Sequence, residues 1–212
     1  PKMFERAEVR RLIDQAKVPL KGMALLGINA GFGNNDCATL PLSALDLEGG
    51  WISHPRPKTG AERRCKLWPE TVQALRETLA ARPEPQDPRY ADLVFLRPPG
   101  VPWVQFHPHP TKPGVQIEYD CIRHVFSRLV KRLDLQRPGR GFYALRHTHR
   151  TISDECCDAV AAGYIMCHVD GSMAAHYRER IADERLQRVA DHVHAWLYGE
   201  EAKAESGEKK EQ

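Results

Sequence analysis

Phe142-Tyr-Ala-Leu-Arg-His-Thr-His-Arg-Thr151, followed by Tyr164-Ile-Met-Cys-His168 and then by Tyr177, is the stretch around which this 212-residue chain is organised. It holds an arginine flanked by ring side chains, a histidine closing an apolar helical run, and a tyrosine a few turns further on. A phosphodiester repels anionic nucleophiles. An enzyme that cuts one without a metal must therefore surround the phosphate with cations and deliver a nucleophile in line. Arg146 offers a planar fork that matches two phosphate oxygens. Tyr177 offers a phenol, a nucleophile once a neighbour takes its proton or positive charge lowers its pKa. His168 and His147 suit hydrogen bonding to the phosphate or proton movement. Singly, each reads more simply as packing or surface; the ordered set carries the weight.

These residues resemble the catalytic domain of the tyrosine recombinases, the phage-type integrases, and the resemblance runs over most of the chain. Leu25-Leu-Gly-Ile-Asn-Ala-Gly31 through Leu40-Pro-Leu-Ser-Ala-Leu-Asp-Leu47 is similar to the helix-turn segment that opens that domain. Arg56-Pro-Lys-Thr-Gly60 with Glu62-Arg-Arg-Cys-Lys-Leu67 resembles the hairpin bearing the family's catalytic lysine, which falls on Lys58. Leu145-Arg-His147 resembles the box of the second arginine, Cys167-His168 stands where the family has Gly-His, and His176-Tyr-Arg178 where it has the nucleophile. The resemblance implies attack of Tyr177 on a DNA phosphate to give a 3′-phosphotyrosyl link. Arg146 and His168 would stabilise the phosphorane, Lys58 would protonate the leaving oxygen, and His147 would assist the arginine. No metal, nucleotide or other cofactor is implied, because the tyrosyl ester conserves the bond.

Two departures stand against that pattern. The family's first arginine, in Gly-x-Arg-x-x-Glu, is Gly33 here, within Gly31-Phe-Gly-Asn-Asn-Asp36, and the first histidine of the second box is Tyr143. Loss of one preorganised donor from such a site costs on the order of 10² to 10³ in rate. Arg56, Arg63, Arg64 and Arg140 are the arginines from which a replacement can come, with Asn34 and Asn35 as neutral donors. A rival reading is thus a noncatalytic DNA-binding or regulatory protein on the same scaffold, and a third is a nicking-closing enzyme of the type IB topoisomerase kind.

The formal charge is +3, and the tail after Tyr198 holds five acids against three lysines, which lifts the remainder by two. A mildly basic body suits a phosphate-facing surface. The six cysteines show no zinc spacing, and His107 and His109, alternating with prolines, lack further ligands, so no metal is expected. With no signal peptide and no long apolar run, a soluble, reduced, cytoplasmic protein is expected, without a membrane partner.

The expected architecture is mostly α, an α+β domain over residues 1–198 with a small antiparallel three-stranded sheet, and a disordered Glu/Lys tail over 199–212. Helices are read at Met3 to Lys17, Leu20 to Ala30, Asn35 to Leu40, from Trp68-Pro69, at Gln116 to Leu133, from near Ala144, over Asp158 to Cys167, at Met173 to Arg180 and at Asp183 to Tyr198. Trp51 to His54 and Arg63 to Leu67 read as a hairpin, Leu93 to Leu96 as the third strand, and Arg97 to Gly114 as a surface loop anchored by Trp103 and Phe106. Double-stranded DNA is the expected partner, with contacts from Arg56, Arg63, Arg64, Arg137, Arg140 and Arg150 and from the basic face of Arg123, Arg128, Lys131 and Arg132. The apolar stripe of the last helix packs on its own domain or, as the resemblance implies, on a neighbouring copy in a homo-oligomer on DNA. The resemblance begins almost at residue 1. The domain that closes such proteins around DNA is thus not expected within this stretch, and weak affinity for DNA in isolation is expected.

Overall fold

A computed structural model describes residues 2–56, 59–168 and 179–199. Helix α2 (Leu20–Asn29) lies at the centre, and nine of its ten residues are buried. It is apolar on every side, which an α-helix tolerates only when neighbours cover all of it. Those neighbours are α1 (Arg6–Gln15), α4 (Pro69–Ala80), α5 (Cys121–Arg132), α6 (Tyr143–Asp154) and α8 (Asp183–Tyr198). Two shorter helices, α3 (Asn34–Ala38) and α7 (Ala159–Ile165), flank the region where the sequence motifs meet.

One buried polar residue fixes the frame. Asn29, at the end of α2, donates from Nδ2 to the Lys66 carbonyl at 3.0 Å and accepts at Oδ1 from the Trp68 amide and the Thr71 hydroxyl, each at 2.9 Å. A buried amide with all these bonds made locks helix, strand and the next helix into one arrangement, since breaking any of them strands a polar group. Trp68 Nε1 in turn donates to the Ala190 carbonyl at 2.9 Å and ties α8 to the same point.

The three-stranded antiparallel sheet is formed by β1 (Leu45–Asp46), β2 (Trp51–Ser53) and β3 (Arg64–Lys66), in that order, with Ile52 opposite Leu45 on one side and Cys65 on the other. The hairpin β2–β3 is the one expected. The third strand is not Leu93 to Leu96: β4 (Leu96–Arg97) pairs instead with β5 (Val101–Pro102) in a ribbon of its own. The segment read as a loop contains a second ribbon, β6 (Val104–Pro108) against β7 (Gln116–Asp120). Consequently the helix expected from Gln116 starts only at Cys121, where the Asp120 carboxylate caps it by accepting from the Arg123 amide at 2.8 Å. Phe106, expected to anchor the segment, is 55 % exposed on that ribbon, as is Tyr119 at 48 %, whereas Trp103 is buried.

α1 is shorter than expected at both ends, while α8 has the expected bounds. Leu186, Val189, Ala190, Val193 and Leu197 of α8 are all buried within its own domain. Among the described residues no helix is long and apolar enough to cross a membrane. The short helix expected over Met173 to Arg180 falls largely, and the 200–212 tail wholly, outside the described residues.

Candidate active site

Helix α6 places its apolar residues Leu145 and Ile152 in the core, and the same inward face carries Arg146, 2 % exposed. Its guanidinium bridges two helix ends: Nη1 donates to the Gly31 carbonyl just past α2, and Nη2 to the Met166 carbonyl at the end of α7. Gly31 sits at φ +64°, and a Cβ there would collide with Met166 Sδ and lie 3.0 Å from His149 Cδ2. Only glycine lets the three segments close on the arginine this way. Burial lowers the Arg146 pKa from its ordinary value, and the charges of Arg56 and Arg63 act in the same direction. An arginine pKa starts so high that the group remains a cation. Two of its five N–H groups face carbonyls, which fixes the plane of the fork and leaves the others for an anion.

His168 is positioned by the end of α7. The Cys167 amide bonds the Tyr164 carbonyl at 3.0 Å and the His168 amide the Gly163 carbonyl at 2.9 Å, with Cys167 at φ +52°. This is the left-handed helix ending in which glycine is the usual residue. Because Met166 holds Arg146 two residues earlier, the helix ending and the guanidinium form one unit. His168 is exposed, and its pKa is lowered by partial burial and by the cations Arg146, Arg150 and Arg56. Both effects favour the neutral imidazole.

His147, expected to assist the arginine, is exposed on the outer face of α6 and meets Tyr143 edge to face at 5.4 Å. The buried histidine of the box is His149. Its Nδ1 lies 2.9 Å from the Ile28 carbonyl, and burial lowers its pKa to about 4. His54, not singled out in the sequence, is also buried, and its pKa is likewise about 4, from burial and the nearby Arg63. Both support the site from behind. Arg146 to Arg150 are all polar, which leaves open which histidine points inward; the packing of α2 against α6 decides it.

The corner at Gly33 is occupied by other groups. Gly33 is buried at φ −95°, a conformation open to any residue, and a Cβ there would lie 3.2 Å from Tyr143 Cε2 and 3.3 Å from Cδ2. The two departures from the family's pattern are thus in contact: the ring at 143 covers the backbone at 33. Asp36 keeps its place, accepting from the Gly33 amide at 2.7 Å and from Arg63 Nη2 at 3.2 Å.

The expected DNA contacts divide sharply. Arg63 has a fully buried side chain, donates from Nε to the His54 carbonyl at 3.0 Å and lies 3.8 Å above the Phe32 ring. Arg140 is equally buried, donating to both Glu8 oxygens at 2.8 and 2.9 Å. Neither faces solvent, so their expected contact with DNA is not available in this fold. A charge as costly to bury as a guanidinium is found inside only because each has a carboxylate, and both carboxylates are far away in sequence. Arg64 is bidentate on Asp183 at 2.9 Å, Arg137 lies 3.7 Å from Glu8, and Arg150 pairs with Asp154 at 2.7 Å, all at the surface. Arg56 is half-buried and lines a cavity of about 370 Å³ together with Gly33, Asn34, Asp120 and Tyr143. Lys58 and Tyr177 lie outside the described residues. No group of metal-ligating side chains occurs among the described residues.

The family model that matches the chain is that of the phage integrase family, over residues 2–184. Among solved structures, XerA recombinase superposes with a TM-score of 0.62 at 19 % identity, covering 88 % of this chain and 62 % of that one. The integrase from mycobacterium phage Brujita gives 0.60 at 18 %, covering 91 % and 58 %. The Tn1549 transposon integrase in complex with a circular intermediate DNA gives 0.60 at 19 %, covering 87 % and 64 %. The chain therefore spans about three fifths of the length of these structures. No curated protein sequence matches it.

Proposed function

The chain belongs to the phage integrase family, and from that premise we propose that it is the strand-cleaving domain of a site-specific DNA recombinase. The phenolic oxygen of Tyr177 attacks the scissile phosphorus and forms a P–O bond as the bond to the 5′ oxygen breaks. The phenol gives up its proton to solvent, and Lys58 supplies one to the departing oxygen, leaving a 3′-phosphotyrosyl ester and a free 5′-hydroxyl. Attack by the 5′-hydroxyl of a second strand reverses the steps and releases the tyrosine. Arg146 and His168 hydrogen-bond the non-bridging oxygens as charge develops on them, and His147 lies on the same helix to assist. The observation that supports this reading most is the buried Arg146 fork, held by the Gly31 and Met166 carbonyls with His168 two residues from the second of them. Groups fixed in advance need no reorganisation at the moment of reaction.

Double-stranded DNA in the cytoplasm is the proposed partner, bound through the exposed Arg137 and the half-buried Arg56, Arg64 and Arg150, and the functional unit is a homo-oligomer assembled through the C-terminal helix. Since the apolar stripe of α8 is covered by its own domain, a neighbouring copy would take the outward residues of that helix or those that follow it. A duplex nicked beside the cut site, so that the short 5′-hydroxyl fragment diffuses away, should accumulate a covalent protein–DNA adduct that Tyr177→Phe abolishes. Absence of an adduct across many DNA sequences, with binding retained, would establish the rival reading of a noncatalytic DNA-binding protein, which the covered corner at Gly33 favours. Relaxation of supercoiled DNA by a monomer, without strand exchange, would instead mark a nicking-closing enzyme.

A further inference from the structure

We propose that Arg56 supplies the phosphate contact that Gly33 no longer can, completing the cationic clamp from within the same cavity. This rests on the recombinase reading above and identifies a further catalytic residue within it.

A single guanidinium beside a neutral imidazole leaves much of the charge of a phosphorane uncompensated, so a second cation is required near Gly33. Of the arginines from which it can come, Arg63 and Arg140 are sealed in the interior by Asp36 and Glu8, and Arg64 is held in a two-bond fork by Asp183. Arg56 is different. Its guanidinium has no hydrogen-bond or ion-pair partner among the described residues, and it lines the cavity that Gly33, Asn34 and Tyr143 also line. Its backbone is fixed: the amide donates to the Ala61 carbonyl at 2.9 Å, while its carbonyl accepts from the Thr59 and Gly60 amides at 3.1 and 2.8 Å.

The field of the same residue reaches the rest of the site, because its charge contributes to lowering the pKa of both Arg146 and His168. Asp36 is engaged by the Gly33 amide and Arg63, and Asp120 by Asn34 Nδ2 at 2.7 Å and the Arg123 amide; Glu118 is exposed. Arg89, which pairs with Asp87 at 2.8 Å and does not line the cavity, serves as the control.

The test measures adduct formation on the nicked duplex with an ordinary scissile phosphate and with a methylphosphonate, in which one non-bridging oxygen is replaced by an uncharged methyl. With the ordinary phosphate, Arg56→Ala should slow cleavage by about 10² to 10³, Arg56→Lys by less, and Arg89→Ala by no more than about threefold. With the neutral methylphosphonate the deficit of Arg56→Ala should shrink to within about tenfold, a rescue that a merely structural role would not give. Arg56→Ala cleaving the ordinary phosphate within about threefold of the unaltered protein would overturn the proposal, as would a deficit of equal size on both substrates. Loss with Arg89→Ala in place of Arg56→Ala would overturn it too. If the unaltered protein forms no adduct, the recombinase reading falls and the clamp with it; an adduct that Arg56→Ala leaves untouched removes the clamp alone.

Discussion

Lowering the pH from about 7.5 to about 5 should destabilise the protein through two buried imidazoles, His149 and His54. His149 is completely buried with Nδ1 2.9 Å from the Ile28 carbonyl, so Nδ1 carries the proton of the neutral ring and Nε2 is enclosed without a partner among the described residues. A second proton would place a charge in the interior beside Arg146 and Arg150, and the pKa falls from 6.5 to about 4. In the unfolded chain the same ring takes its proton near 6.5. Between these values the unfolded state binds more protons, so stability is complete above the unfolded pKa and is lost as the pH falls towards the folded one. At ~1.4 kcal/mol per tenfold, each histidine contributes about 2 kcal/mol by pH 5 and roughly 3 kcal/mol in full. His54 has the same sign and a similar size. Together they remove about 4 kcal/mol from a domain whose total is typically ~5 to 15 kcal/mol. Asp158 and Asp183, whose pKa values Arg185 and Arg64 hold below the carboxylate range, lose their contributions only at lower pH and leave this window to the histidines. Urea unfolding at both pH values is the assay, on the unaltered protein and on His149→Asn, whose amide can still donate to Ile28 but does not titrate. The variant should start less stable and lose about 2 kcal/mol less over the interval. An unchanged loss in the variant would refute the assignment of a buried, neutral imidazole at 149.

Two further outcomes follow from the glycines of the site. Gly31→Ala should cost at least ~2 kcal/mol by thermal or urea unfolding, because it combines a left-handed backbone with a collision against Met166; an effect below about 0.5 kcal/mol would show that the junction under Arg146 is loosely packed. Gly33→Arg, which restores the family's residue, has to displace the Tyr143 ring. Paired with Tyr143→His it should be better tolerated than alone, with a coupling of about 0.5 to 1.5 kcal/mol in a double-mutant cycle on stability, and additivity would mean that ring and backbone are not in effective contact.

Local pattern alone determined much of this protein. The α8 stripe, the Pro-started α4, the hairpin β2–β3 and the order of Arg146, His168 and Tyr177 are all written in short-range spacing, because amphipathic period, turn residues and motif order are properties of neighbours in the chain. Where the same local letters allow two structures, the sequence misled: Gln116 to Asp120 has helical spacing but forms a strand, since pairing with Val104 to Pro108 and the Asp120 cap intervene. Tertiary structure alone decided which arginines are free. Arg63 and Arg140 look like surface cations until Asp36 and Glu8 are brought to them from 27 and 132 residues away. It alone also put the Tyr143 ring on Gly33, two substitutions that read as separate losses in the sequence and are a single contact in space. Burial of a charge and contact between distant residues depend on how helices pack around α2, and that information is carried by no single stretch of the chain.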